Sequence, residues 1–213
     1  MALFSGRDLA CFRGGRQVFS DLTFSLDAGE ALLLTGPNGS GKSTLLRLMA
    51  GFLRPNAGQM DWSGSTVYDD LASHQAHLQY VGHLDAIKGV LTVGENLRFW
   101  ACRDASEQRL GDALDTFELA PLEQVPGRLL SSGQRRRLNL ARLIAAPADL
   151  WLLDEPGVGL DQAALSALSE VIRSHRDRGG LVVAATHTDL FIDDARSLQL
   201  GTFSASNLPE LVW

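Results

Sequence analysis

Eight consecutive positions near the start of the chain, Gly36-Pro37-Asn38-Gly39-Ser40-Gly41-Lys42-Ser43, with Thr44 directly after them, combine residue types suited to holding phosphate. Glycines let successive backbone N–H groups turn inward into a concave anion nest with no side chains in the way. A helix opening at Lys42 aims its unpaired amides and positive dipole end at the same phosphates. Lys42 adds a point charge at the β- and γ-phosphates, and the Ser43 hydroxyl can ligate Mg²⁺. The flanks supply the context this loop requires. Ala31 to Leu34 is an apolar run that reads as a buried strand, and Leu45, Leu46, Leu48 and Met49 lie on one side of the next helix. An ordinary glycine turn is the alternative; the strand–loop–helix match favours binding of a nucleoside triphosphate.

A second group of residues lies downstream. Leu150 to Leu153 form an apolar strand delivering two carboxylates, Asp154 and Glu155, at its end. Behind a phosphate loop, the first suits Mg²⁺ and the second suits orienting or deprotonating a water that attacks the γ-phosphate. Leu130-Ser131-Ser132-Gly133-Gln134 places small and hydroxyl residues at another helix start, a second anion-binding terminus. One phosphate loop already satisfies one triphosphate, so this second terminus needs a reason. The order of these pieces resembles the ATPases of ABC transporters, with Leu130–Gln134 as their signature motif. Asp161 resembles that family's dimer-contacting aspartate. His187, closing Val182-Val183-Ala184-Ala185-Thr186, resembles its switch histidine at the γ-phosphate.

The resemblance covers essentially the whole chain, and it implies ATP and Mg²⁺ as cofactors. It also implies a head-to-tail homodimer in which Ser131, Ser132, Gly133 and Gln134 of one copy cap the nucleotide held by the other. Two positions depart from the pattern. Ser132 stands where a second glycine is usual, which is tolerable if its backbone angles are not glycine-only. His83 stands where a lid glutamine is expected; a neutral imidazole can still donate or accept a hydrogen bond to the attacking water or the Mg²⁺ shell. Tyr80 to Lys88, Leu91 to Leu97, the run from Leu130 to Leu143 and Trp151 to Pro156 are similar to the ATPases of cytochrome c maturation, a system described as a haem exporter. That implies integral membrane partners of the CcmB and CcmC kind and a peripheral location on the cytoplasmic face of the inner membrane. A partner's helix would dock near His83 to Trp100, where Phe99 and Trp100 either join the groove or pack within the helical region. Other ABC exporters, for lipid or drug, share the same core; a soluble ABC protein or a P-loop kinase or GTPase fits less of it.

Strands alternate with helices along the chain, implying an α/β fold with a mostly parallel core sheet. Leu3 to about Leu26 alternates apolar and polar residues around Gly14-Gly15, an antiparallel β region. Phe12 sits just before the glycines and either stacks on a nucleobase or packs within its strand. Residues 64–76 read as a polar loop, Leu78 to Gly82 as a strand, and Val93 to about Ala120 as helical. A helix from about Gly133 to Ala146 stops at Pro147, and another spans Asp161 to Arg176. The strand Leu181 to Thr186 then precedes a short helix, a last strand near Ser197 to Thr202 and a tail. The expected organisation is a single ABC ATPase domain over residues 1–213, with a helical subdomain inserted at about 84–146. Arg135, Arg136 and Arg137 read as a solvated charged face, and His74 and His77 as solvated loop residues. A net charge of −6 argues against a nucleic-acid partner. No apolar run approaches the roughly 20 residues of a membrane span, and the first residues lack a secretory leader's pattern. Cys11 and Cys102 have no metal-site spacing and read as reduced and buried, in a soluble cytoplasmic protein.

Overall fold

The computed structural model describes residues 3–101, 106–187 and 189–203. Cys102 and the tail beyond Phe203 lie outside them. The chain opens with β1 (Phe4–Arg13) and β2 (Arg16–Leu26), paired antiparallel with Arg13 opposite Arg16. Gly14 and Gly15 form the two-residue loop, both with positive φ (57° and 75°), as the tight turn matching strand twist requires. β3 (Ala31–Thr35) and α1 (Lys42–Met49) come next, then β4 (Ala57–Trp62) and β5 (Ser65–Thr66), which complete an antiparallel sheet of order β2-β1-β4-β5.

After these lie α2 (Leu71–Ala76) and β6 (Leu78–Val81), then the helices α3 (Val93–Ala101), α4 (Glu107–Thr116) and α5 (Ser132–Ala145). The chain returns to the sheet as β7 (Leu150–Asp154), crosses through α6 (Gln162–Asp177), and adds β8 (Leu181–Ala185) and β9 (Arg196–Gln199). The second sheet has the order β6-β7-β8-β3-β9, and its paired strands are all parallel. No described helix is long and apolar enough to cross a membrane.

The two-residue period of the strands divides the core between the faces of this sheet. Leu150 and Leu152 pack with α1 and the antiparallel sheet, beside Leu45, Leu46 and Phe19. Trp151 and Leu153 point the other way, into the cluster built by α3, α4, α5 and α6 around Leu97, Phe117, Leu140 and Ile172. A strand buried on both faces has no polar positions until it ends. In β7 that end is Asp154.

The structure corrects several expectations. Residues 64–76 are not a plain loop, because β5 and α2 lie within them. Asp70 caps α2 by accepting a hydrogen bond from the Ser73 N–H (3.0 Å). His74 is buried, not solvated: its Nε2 lies 2.7 Å from the Met49 carbonyl and its ring stacks on Phe4. His77 is partly exposed but stacks on Trp62 and pairs with Asp149 at 2.8 Å. After β8, residues 189–195 turn instead of forming a helix. Phe191 and Asp194 adopt left-handed backbone (φ 50° and 57°), which a right-handed helix cannot contain. The last strand ends at Gln199, before a tight 3₁₀ turn over Leu200–Phe203.

Candidate functional site

At the C-terminal end of β3 the chain turns through Gly36 (φ 136°), Gly39 (82°) and Gly41 (100°) before α1 begins at Lys42. Gly41 is held by space as well as by angle. A Cβ there would stand 2.6 Å from Val18 Cγ1 and 3.3 Å from Phe19 Cδ1. Lys42 is buried and folds back over the loop, its Nζ donating to the carbonyls of Gly36 (2.7 Å) and Pro37 (3.1 Å). Ser40 is also buried, with its N–H bonded to the Pro37 carbonyl at 3.2 Å. Ser43 Oγ donates to Asp154 Oδ1 at 3.0 Å, joining the first turn of α1 to the end of β7 across 111 positions of sequence.

Strand register brings the second group to the same edge. Asp154 is opposite Ala185 of β8 and is 3% exposed, with its carboxylate toward Ser43. Glu155, the next residue, leaves the sheet in a left-handed conformation (φ 51°) while its N–H bonds the Ala185 carbonyl at 2.8 Å. Its carboxylate accepts from the His187 N–H (3.2 Å) and lies 3.6 Å from His187 Nε2. A cavity of about 590 Å³ opens over these groups, lined by Asn38, Gly39, Gly41, Lys42, Ser43, Thr44, His83, Asp154 and Glu155. Arg13, Gly14 and Val18 form its far wall. The concave amides, one lysine and two carboxylates around a hydroxyl suit a polyphosphate accompanied by a hard divalent cation.

Other sequence-predicted residues sit apart from the cavity. Ser131 caps α5 through a reciprocal pair of bonds: Ser131 Oγ accepts from the Gln134 N–H (3.2 Å), and the Ser131 N–H donates to Gln134 Oε1 (2.9 Å). Ser132 occupies the first helical position without a positive φ, so a serine is compatible there. Neither it nor Gly133 lines the cavity. Asp161 caps α6, accepting from the Ala164 N–H at 2.8 Å. Phe12 stands 51% exposed beside the wall residues Arg13 and Gly14, with its N–H on Asn56 Oδ1 at 2.8 Å. Its ring is therefore not simply core packing.

Sequence reasoning missed Arg136. Read as part of a solvated face, it is in fact 6% exposed and donates to backbone carbonyls from both β7's end and the segment after β6. The signal was present in the spacing. Arg136 lies three residues before Asn139, four before Leu140 and seven before Leu143, all buried, so it occupies the inward stripe of α5. Its neighbours fare differently, with Arg137 pairing with Glu118 at 3.0 Å on the surface. Arg142, further along the stripe, lies over the Trp100 ring, and burial together with Arg136 pushes its pKa down to about 10.

Comparison with known proteins agrees with this architecture. The family model described as ABC transporter matches residues 19–158. The cytochrome c biogenesis ATP-binding export protein CcmA of Paramagnetospirillum magneticum is 52% identical over 212 residues, covering 97% of this chain and 98% of that one. The protein of the same name from Rhodospirillum rubrum is 54% identical over 204 residues, covering 95% and 88%. Among solved structures, an ATP-binding subunit of an ABC transporter aligns with a TM-score of 0.79 at 26% identity, covering 87% of this chain and 80% of that chain. A bacterial Atm1-family ABC exporter with ATP bound gives 0.82 at 22% identity, covering 92% and 36%, a likeness of fold. The chain belongs to the ABC transporter family of ATP-binding proteins, in its CcmA group.

Proposed function

We propose that this chain is the ATP-hydrolysing subunit of an ABC export complex serving cytochrome c biogenesis, and that it works as one ATPase domain with a helical insert at about 84–146. The observation that carries the reading is the convergence of Lys42, Ser43, Asp154 and Glu155 on one cavity from separate stretches of sequence. The amides of Gly39, Gly41 and Lys42, with Pro37, Asn38 and Ser40 shaping the turn, surround the β- and γ-phosphates. Lys42 exchanges its two carbonyl partners for phosphate oxygens. Thr44 adds a hydroxyl, and Phe12 offers an exposed ring for the nucleobase.

Ser43 and Asp154 supply hard oxygen donors 3.0 Å apart at the cavity wall, the chemistry Mg²⁺ prefers, and His83, lining the same cavity, offers an imidazole to its water shell. Bound there, the cation would neutralise charge developing on the phosphates. Glu155 is the general base for the attacking water, kept toward the cavity by the His187 N–H, and His187 reaches the γ-phosphate once nucleotide enters. Ser131, Ser132, Gly133 and Gln134 meet the nucleotide of a second copy, and Asp161 lies at the contact between the two. Gly133 supports this. A Cβ there would touch only the Gly159 carbonyl, at 3.8 Å, so internal packing does not demand its smallness. A close approach by a second copy would use that room.

Membrane subunits, of the CcmB and CcmC kind, would hold the dimer at the cytoplasmic face of the inner membrane. Leu84, next to His83 and 84% exposed, offers an apolar side chain for such a contact, and Val90, Phe99 and Leu129 are exposed as well. Closure on two ATP and reopening after hydrolysis then pulls on those subunits as a two-state switch. The test is Glu155→Gln, which keeps an acceptor for the His187 N–H and removes the base. ATP binding should persist while turnover falls by about 10²–10⁴, light scattering should show an ATP-dependent dimer, and cells carrying only this variant should lose haem-stained c-type cytochromes. Wild-type turnover would remove Glu155 from the chemistry. A monomer with ATP bound would remove the sandwich, and intact cytochromes would point to another exported species.

A further inference from the structure

We infer that Arg136 is the positioning residue for Glu155: it sets the backbone that aims the catalytic carboxylate and ties that backbone to the helix carrying the signature residues. The inference rests on the function proposed above and adds a residue and a route to it. One guanidinium, itself buried, meets two segments of chain. Nε donates to the Pro156 carbonyl (3.3 Å), Nη2 to the carbonyls of Asp154 (3.4 Å) and Glu155, and Nη1 to the carbonyl of Gly82 (3.2 Å). The carbonyls of three successive residues turning onto one cation is unusual. It happens where the chain leaves β7 through the left-handed residue Glu155, with φ 51°. A side chain with a Cβ resists that conformation, and it persists only where its surroundings over-determine it. The Ala185 carbonyl fixes Glu155 from its N–H side and Arg136 fixes it from its C=O side. From this fixed backbone the carboxylate lies toward His187 and the cavity.

The fourth carbonyl extends the device. Gly82 directly precedes His83 in the cavity wall, and the segment beyond is held as well. Asp85 Oδ1 lies 3.6 Å from Arg136 Nη1 and accepts from Asn139 Nδ2 at 3.3 Å. Arg136 and Asn139 both belong to α5, whose first turn contains Ser132, Gly133 and Gln134. A displacement of α5, when its N-terminus meets the partner's nucleotide, is therefore felt at Glu155 and at His83 of the same chain through one side chain. Only arginine suits this place. Its planar fork carries five donors spread widely enough to reach Gly82 and Pro156 together, whereas a lysine presents three from a single nitrogen.

The experiment uses the purified full-length chain and measures ATP affinity and turnover separately in Arg136→Gln, in Glu155→Gln and in the double variant. Arg136→Gln should bind ATP within about twofold of wild type while kcat falls roughly 10–100-fold, the scale expected for a misplaced catalytic group. In the double variant, Arg136→Gln should add less than about a twofold loss, because a residue acting through Glu155 has nothing left to position. Turnover within twofold of wild type, equal losses in affinity and kcat, or a full additional loss in the double variant would each overturn the inference. Because Arg136→Gln strands buried carbonyls, Asp85→Asn serves as a milder second variant. It removes the anchoring charge from a partly exposed position and should lower kcat in the same direction, with affinity kept; unchanged kcat there also overturns it. Wild-type protein with no ATPase activity, or Glu155→Gln turning over at the wild-type rate, would instead overturn the underlying function.

Discussion

Acid should loosen this protein through one identifiable side chain, His175. It lies on the buried side of α6, 6% exposed, with its ring flat against the Trp151 indole at 3.7 Å between centroids and 4° between planes. Gly180 closes over it so tightly that a Cβ would stand 2.1 Å from the ring, and Nε2 faces the Leu181 carbonyl at 3.4 Å. Burial pulls its pKa from 6.5 to about 4; the Leu181 carbonyl pushes it back up and Arg178 pulls further down. A histidine held neutral in the fold but free to protonate when unfolded favours the unfolded state in acid. Its stabilising contribution is intact above about pH 6.5, declines as pH falls toward 4, and levels off below that. The gap between 6.5 and about 4 amounts to about 3 kcal/mol. His74, held below its usual value by burial although the Met49 carbonyl pushes it back up, acts with the same sign. The assay is urea unfolding at a series of pH values for wild type and His175→Phe, which keeps an aromatic ring against Trp151 and cannot titrate. Carboxylates titrate in both proteins and cancel in the comparison. Wild type should lose about 3 kcal/mol more than the variant between about pH 7.5 and 4. Parallel curves would refute the reasoning, and would mean that water reaches the ring in the folded state.

Lys42→Ala should weaken ATP binding about 10–100-fold, the value of a charge-assisted bond to phosphate, as read by titration with a fluorescent ATP analogue; wild-type affinity would remove Lys42 from the site. His83→Gln should leave ATPase activity within a few-fold of wild type, because an amide can make the same bond to a water at the cavity wall. A collapse to the level of Glu155→Gln would assign His83 a different role.

Much of the site was legible because its motifs carry their own local structure. The phosphate loop contains the glycines its positive φ angles need, sits between an apolar strand and an amphipathic helix, and folds as its residue types dictate. The Ser131–Gln134 capping box is equally local. What was missed depends on partners far along the chain. Arg136, His74 and His175 are polar residues that composition assigns to the surface. Each is buried because a distant backbone carbonyl or ring receives it: Gly82 and Asp154–Pro156 for Arg136, Met49 for His74, Trp151 for His175. The short helix α2 has no periodic stripe to announce it, being held by Asp70 and the buried His74. Nor does any residue type mark the left-handed turn at Glu155, since glutamate has no preference for it.

The register of three parallel strands explains why the chemistry gathers where it does. Leu34 of β3 and Asp154 of β7 both stand opposite Ala185 of β8, so the three chains run out of sheet together. The segments leaving these strands are then adjacent in space: the phosphate loop after β3, Glu155 after β7 and His187 after β8. Parallel sheets expose their carboxyl-end crevice to ligands for this reason. Because side chains alternate faces, slipping β7 by one residue against β8 would turn Asp154 from Ser43 and drive Trp151 into the opposite core. Because β7 is apolar on both faces, side-chain shape and not polarity opposes that slip: Trp151 stacks on the His175 ring on one side of the sheet only. The placement of Asp154 and Glu155 is thus decided at the other end of the strand, by packing around residues that never meet nucleotide. Loss of the Trp151–His175 stack should reach the cavity through β7's register before it reaches it through any single contact in the cavity wall.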